Sequence, residues 1–448
     1  TFRKKSGFFD CVTWTGNGVA GREISHGLNG PVGMMIVKDI DTSTSSWATY
    51  HKSLGATKYM YLEATGGANT HIGFWNDTEP TDSVFTIGSL TAVNNVLGDT
   101  YVAYLFADNS SEDAEDQMIK CGSYTGTAAD LSINLGWEPQ FLLIKNTTSA
   151  ADWYMVDTMR GFTATSLTNE HLSPNSSNAE AKVGNVVYDK FLNSTGFNVL
   201  ANASQFNTNG QTYIYMAIRA PMMVEPEAAT DVFHVNASQG NFGSPSFYST
   251  GFDVDMAITK NYSAGASYYN GSRFAGSGQF LRPDNTNAED NGGPFLFDVS
   301  DGVTKTGGGG NGNDPYVTHM WKRAKGYMDV VAYFGADLSG GVVYHSLGVK
   351  PELVIIKQRN AINSANREWA VGSPDLLGVN ANTLSLNNNY ANGTLGYNMF
   401  NTTAGQTDTQ IKLHGGVGGI SGSSGYYIAY LFATLAGISK VGSYTGNG

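Results

Sequence analysis

Cysteine is nearly absent, with two in 448 residues, too few for a disulfide framework. Charge is also sparse. Charged side chains make up 14% of the chain, 38 acidic against 26 basic, for a net charge of -12. Such a balance lacks the clustered basic face that nucleic acid or an anionic membrane requires. No run of 18 apolar residues occurs, which excludes a membrane-spanning helix. Arg3, Lys4 and Lys5 are not followed by an apolar run of signal-peptide length, and the chain does not begin with Met. We read this as a chain that starts after processing or within a longer protein. There is no Gly-X-Y period, so the 55 glycines do not make collagen. What is present is 41% hydrophobic and 12% aromatic residues, enough for packed cores. Dense glycine beside 24 Tyr and 22 Phe points to many short strands and tight turns. The length suits about three or four domains.

Internal similarity is the dominant signal. Gly7 and Asp10 match Gly326 and Asp329, His26-Gly27-Leu28 matches His345-Ser346-Leu347, and Met34 to Lys38 matches Leu353 to Lys357, all at an offset of 319. Tyr101 to Ala107 recurs as Tyr427 to Ala433, and Lys120 to Gly126 as Lys440 to Gly446. A shorter period lies inside the long one. Trp14-Thr15-Gly16 corresponds to Tyr124-Thr125-Gly126, Met34 to Lys38 to Phe141 to Lys145, and Tyr101 to Ala107 to Tyr213 to Arg219. Tyr316 to Trp321 resembles the same closing segment.

These matches define module A (1–118), module B (119–221), a diverged module C (222–322), a second copy of A (323–437) and the start of another B (438–448). We read the chain as a segment of a longer, fibre-like protein built from three-module units of about 320 residues. The repeated runs are β-branched and aromatic, short, and bounded by turn residues such as Thr65-Gly66-Gly67, Asn209-Gly210 and Gly240 to Gly243. No helical period is sustained. The expected fold class is all-β: a tandem array of antiparallel β-sandwich modules, jelly-roll or lectin-like, of about seven or eight strands each. The run GGGGNGN at 307–313 reads as a flexible loop within module C.

Little in the repeat carries chemistry. Cys11 and Cys121 share one module position with Val330 and Val441, so we expect two free, buried thiols too far apart to pair. His26 and His345 align with Ile133 in module B, which favours packing or turn chemistry over catalysis. Trp47, Trp153 and Trp369 read as core anchors of the sandwich rather than a sugar-stacking platform. Lys38, Lys145 and Lys357 close apolar strands and read as edge or snorkelling lysines. Glu112, Asp113, Glu115 and Asp116 form a solvated loop rather than a glycosidase pair. No nucleophile elbow, phosphate loop or zinc-protease motif occurs. Asn76-Asp77-Thr78 and Asn401-Thr402-Thr403 match the glycosylation triplet, as chance provides in a chain rich in these residues. We therefore expect no catalytic, cofactor-binding or metal-ligating residues and no cofactor.

Phe2-Arg3-Lys4, then Gly7 to Gly18, His26-x-Leu28, Met34 to Lys38, Trp47-x-x-Tyr50-His51-x-x-Leu54-Gly55 and Tyr101 to Ala107 resemble a repetitive β-domain family of unknown function. That family occurs in tail-fibre and virion structural proteins of marine tailed bacteriophages, cyanophages among them. The similarity covers modules A, B and the second A, and module C loosely. It implies a structural and adhesive appendage on the virion, a tail or head fibre, and brings no catalytic residues. The partners expected are further copies of the chain, as a homo-oligomer and possibly a trimer, other virion proteins and host surface glycans; neither nucleic acid nor membrane insertion is expected. Two other readings compete. A polysaccharide-degrading tailspike requires an acid pair in a groove. A cellular surface adhesin or filament subunit requires a secretion signal or wall anchor.

Overall fold

The recurrent apolar runs become strands because β-branched and aromatic side chains fit a pleated surface. In the computed structural model these include Val32–Asp39, Pro139–Asn146, Met256–Asn261 and Leu353–Gln358. The structure describes residues 3–94, 96–110, 116–158, 170–179, 181–182, 192–193, 195–199, 201, 204–221, 223–239, 246–263, 265–276, 278–297, 299–305, 315–335, 338, 341–361, 367–374, 383–389, 395–401, 406–423 and 425–445. The glycine run at 307–313, the turn at Gly240 to Gly243, Glu112, Asp113, Glu115, Thr402, Thr403 and Gly446 lie outside them. All strand pairs among the described residues are antiparallel, and the helical segments are short, Ser204–Asn207 and a 3-10 turn at Ala229–Asp231 the longest of them.

One topology recurs four times. In module A the opening strand Phe9–Thr15 pairs with the closing strand Thr100–Ala107. The closing strand then pairs with Val32–Asp39, which pairs with Ala48–His51. Module B repeats the order with Ile119–Thr125, Thr212–Arg219, Pro139–Asn146 and Trp153–Asp157. Module C does so with Phe233–Gln239, Pro315–Trp321, Met256–Asn261 and Tyr269–Ser272. The second A uses Met328–Phe334, Tyr426–Phe432, Leu353–Gln358 and Ala370–Gly372. A smaller sheet makes the other layer of each sandwich. It is Arg22–Ser25 with Val84–Ile87, Leu131–Asn134 with Gly196–Val199, Ser246–Ser249 with Gly302–Lys305, and Val342–Tyr344 with Gln410–Lys412.

A tyrosine fixes the closing strand of modules A, B and the second A. Tyr101, Tyr213 and Tyr427 stack on Trp14, Tyr124 and Tyr333 at 5.7, 5.1 and 5.2 Å. Their hydroxyls donate to Thr91 O, Ser204 O and Gly418 O at 2.9, 3.4 and 2.9 Å. They also accept the N–H groups of Val96, Thr208 and Gly422, which pins the loop entering the strand. The same loop explains the glycine that ends the opening strand. A Cβ on Gly16, Gly126 or Gly335 would lie 2.1, 2.3 or 2.0 Å from a loop carbonyl oxygen, so no larger residue fits.

The chain forms two compact units that meet in sequence at Ala220 and Pro221, with the sheets of A and B in one and those of C and the second A in the other. Alternation along the strands separates two kinds of burial. In the second A, Val354, Ile356, Tyr427, Ala429 and Leu431 face inward and meet Val343 and Ile411 of the small sheet. The residues between them, Ile355, Ile428, Tyr430 and Phe432, face outward and cluster with Val232, Met256 and Leu281 of module C. Both faces are buried, which is why these strands read as continuous apolar runs rather than alternating ones.

Candidate functional site

The outer face just described carries the recurrent lysine and tryptophan. Lys145 stands opposite Trp153 across the ladder, and the same register sets Lys38 opposite Trp47 and Lys357 opposite Trp369. These residues do not anchor sandwich cores, nor are the lysines on an edge. Each lysine sits on a strand paired on both sides, and Lys145, Lys357, Trp153 and Trp369 are at most 1% exposed. Lys145 with Trp153, and Lys357 with Trp369, build the joint between neighbouring modules within each unit.

The two joints share three links. Trp153 Nε1 donates to Tyr61 O of module A at 3.0 Å, and Trp369 Nε1 to Arg282 O of module C at 2.9 Å. Lys145 Nζ donates to Thr65 O and Lys357 Nζ to Thr286 O, both at 2.9 Å. The N–H of Ala68 donates to Thr147 O at 2.8 Å, and that of Glu289 to Arg359 O at 2.6 Å. On the receiving ridge the three positions are 61, 65 and 68 in one joint and 282, 286 and 289 in the other, with identical spacing. The ridge takes part through backbone atoms alone, two carbonyls that accept and one N–H that donates, so these links tolerate side-chain change there. Each joint then adds its own contacts. His51 bonds Tyr215 O at 3.0 Å in the first. In the second, Arg359 and Glu289 form a buried bidentate pair at 2.8 and 2.9 Å, and Tyr430 donates to Asn270 Oδ1 at 2.6 Å.

Burial sets the protonation of these groups. Desolvation pushes Lys145 and Lys357 down to about 8, with Asp152 and Glu368 opposing it. It pushes His51 down to about 4, against the raising effect of the Tyr215 carbonyl and Asp108. All three folded values lie below the unfolded ones, so the neutral forms favour folding. Stability should therefore rise as pH increases from about 8 toward 10, and fall as pH drops from about 6.5 toward 4. Chemical denaturation across this range checks it. Lys145→Met should make the alkaline limb shallower, leaving the share of Lys357, and His51→Gln should do the same to the acid limb.

The remaining sequence candidates are structural. His26 Nδ1 accepts the N–H of Leu28 at 3.2 Å, and His345 Nδ1 that of Leu347 at 3.3 Å, so each histidine shapes the turn into the third strand. Hydrogen bonding aligns His26 with Leu135 rather than Ile133: His26 N donates to Ser83 O as Leu135 N does to Thr195 O. Asp10 and Asp329 brace that same turn, accepting from Gly27 N and Ser346 N at 2.7 Å each. Both cysteines are free thiols, but only Cys121 is fully buried; Cys11 is half-exposed because it lies on module A's outer face. Asp116 is exposed. Among the described residues no group of three or more His, Cys, Asp or Glu side chains is placed to hold a metal, and no helix is long and apolar enough to cross a membrane. Sequence reasoning missed Lys260, which pairs with Val317 as Lys145 does with Ile214. Its Nζ lies 4.7 Å from the ring of Tyr268. The register of Tyr316 with Tyr213 would have revealed it.

No curated protein matches the chain. The family described as Domain of unknown function (DUF7483) matches it twice, over residues 2–221 and 228–448, and each match takes in a two-module stretch joined as above. The chain belongs to that family, in two successive copies.

Proposed function

We propose that the chain is a structural segment of a modular virion fibre, on the tail or head of a tailed phage, which carries host-attachment surfaces away from the particle and performs no catalysis. The observation that carries this reading is the joint. The same three links are built twice, by a matching Trp and Lys on ridges whose side chains differ, which is what a protein needs in order to extend by adding like units. The sequence likeness to repeats in phage fibre proteins supplies the setting. Surfaces rich in Asn, Ser, Thr and Tyr and poor in charge suit repeated weak contacts with host glycans, which gain strength through effective concentration. Other copies of the chain, possibly as a trimer, and other virion proteins complete the assembly. Gold-labelled antibody against residues 1–448 should decorate fibres on purified particles by electron microscopy. Decoration of the host envelope, with bare particles, would instead favour a cellular adhesin.

A further inference from the structure

Module A has two carboxylates where module B has a pair of bonded amides. Asp39 follows Lys38 at the end of its strand as Asn146 follows Lys145. Asp39 Oδ1 accepts the N–H groups of Asp41 and Thr42, both at 3.0 Å, and Asn146 Oδ1 those of Thr148 and Ser149 at 2.9 and 3.0 Å. Asp99 stands in the place of Gln211: its carbonyl accepts from Gly16 N as that of Gln211 does from Gly126 N, both at 2.8 Å. Thr42 Oγ1 donates to Asp99 Oδ2 at 3.0 Å, where Gln211 Nε2 donates to Ser149 Oγ at 2.7 Å. In module B the circuit closes, because Asn146 Nδ2 donates to Gln211 Oε1. In module A it cannot close. Asp39 is 1% exposed, its Oδ2 is buried without a hydrogen-bond partner, and the residue in Gln211's place is a second carboxylate.

A third acid adds to the charge. Asp41 Oδ2 accepts from Thr100 N at 2.5 Å, as Thr148 Oγ1 does from Thr212 N at 2.9 Å. Module B is neutral at all three places, and the second A has Gln358, Asn360 and Gly425 there. None of the three acids is in an ion pair among the described residues; Lys38 Nζ goes to the carbonyls of Asp39 and Thr42. Burial, with the charges of Asp39 and Asp99, pushes the Tyr101 hydroxyl up to about 12, so it stands beside both acids, but its proton goes to Thr91 O at 2.9 Å. Like charges at a buried position call for a counter-charge between them.

We propose that module A binds a calcium ion between Asp39 Oδ2 and the carboxylate of Asp99, with the Thr42 hydroxyl and water completing its shell. The donors are all oxygen, with no nitrogen or sulfur, which selects a hard cation. Asp41 Oδ2 is taken up by Thr100 N, so two carboxylates rather than three are left to the ion. Asp99 is half-buried and gives the ion a way in from solvent. The sequence hides the site because each acid alone reads as a turn residue. Every contact named lies within one module, so the site depends neither on a neighbouring module nor on the virion reading.

Calorimetric titration of the full, chelator-stripped chain with calcium chloride tests it. One calcium should bind per chain, and saturating calcium should raise the unfolding midpoint of the unit that holds module A by about 5 °C. Asp39→Asn combined with Asp99→Gln copies the pair that module B already folds with. That variant should bind no calcium, and in chelator it should melt at or above wild type, which shows that it folds. A wild-type chain with neither binding heat nor a shift in midpoint, or a double variant that binds calcium like wild type, would overturn the proposal. So would a calcium-insensitive wild type whose stability in chelator climbs as pH falls toward 5, since the two acids would then share a proton instead of an ion.

Discussion

Replacing Glu289 with alanine should destabilise the unit formed by module C and the second A by about 3–5 kcal/mol. The side chains of Arg359 and Glu289 are 1% and 0% exposed, so the substitution strands a guanidinium in the joint. Arg359 also donates to Ala275 O, at 3.3 Å, which does not neutralise its charge. The joint itself does not require charge, because the other joint has Thr147 and Ala68 in these places. Glu289→Met combined with Arg359→Met should therefore recover much of the loss, since an apolar pair of similar volume carries no desolvation cost. Urea denaturation of the single and double variants measures this. A Glu289→Ala loss below about 1 kcal/mol would place the pair in water rather than in a closed joint. The pair also has a discriminating role: a Glu289-bearing ridge set against Thr147 would bury an unmatched carboxylate, which disfavours the wrong pairing of modules.

The second large effect concerns the tryptophans. Trp153→Ala and Trp369→Ala should each cost about 3–5 kcal/mol, because each empties a buried site and orphans a ridge carbonyl. The cavity lies between modules rather than within one, so the loss should appear as reduced cooperativity. Calorimetry should show a broad or split transition in place of a joint one. Trp47→Ala, at the same module position, should cost less, about 1 kcal/mol, since Trp47 is only partly buried and Ile40 on the same face is exposed. Equal costs at all three positions would return the tryptophans to the role of sandwich anchors.

The sequence displayed the repeat and the all-β class plainly, because Met34 to Lys38 and its copies keep strand chemistry at a fixed spacing from the closing tyrosine. It was misleading about burial. Lys145 looked like an edge residue because lysine usually ends a strand in water; here three carbonyls, from Thr65, Asn146 and Ala151, accept its protons in a closed joint. Cys121 and Cys11 share a register position yet differ in exposure, and only the presence of a neighbouring module separates them. The ridge was invisible for a different reason. Tyr61 and Arg282, or Ala68 and Glu289, have nothing in common as side chains, and the backbone atoms they supply leave no mark on composition. The clue that was available, and that sequence reading passed over, was the lack of alternation in the closing strands, which signals burial on both faces.

Indole hydrogen exchange tests the central claim most directly. With the chain labelled at tryptophan nitrogen and held dilute, the Nε1 protons of Trp153 and Trp369 should exchange many-fold more slowly than that of Trp47, whose indole finds no acceptor among the described residues. If Trp153 and Trp369 exchange as fast as Trp47, the ridge carbonyls of Tyr61 and Arg282 do not hold them, and the shared joint does not exist.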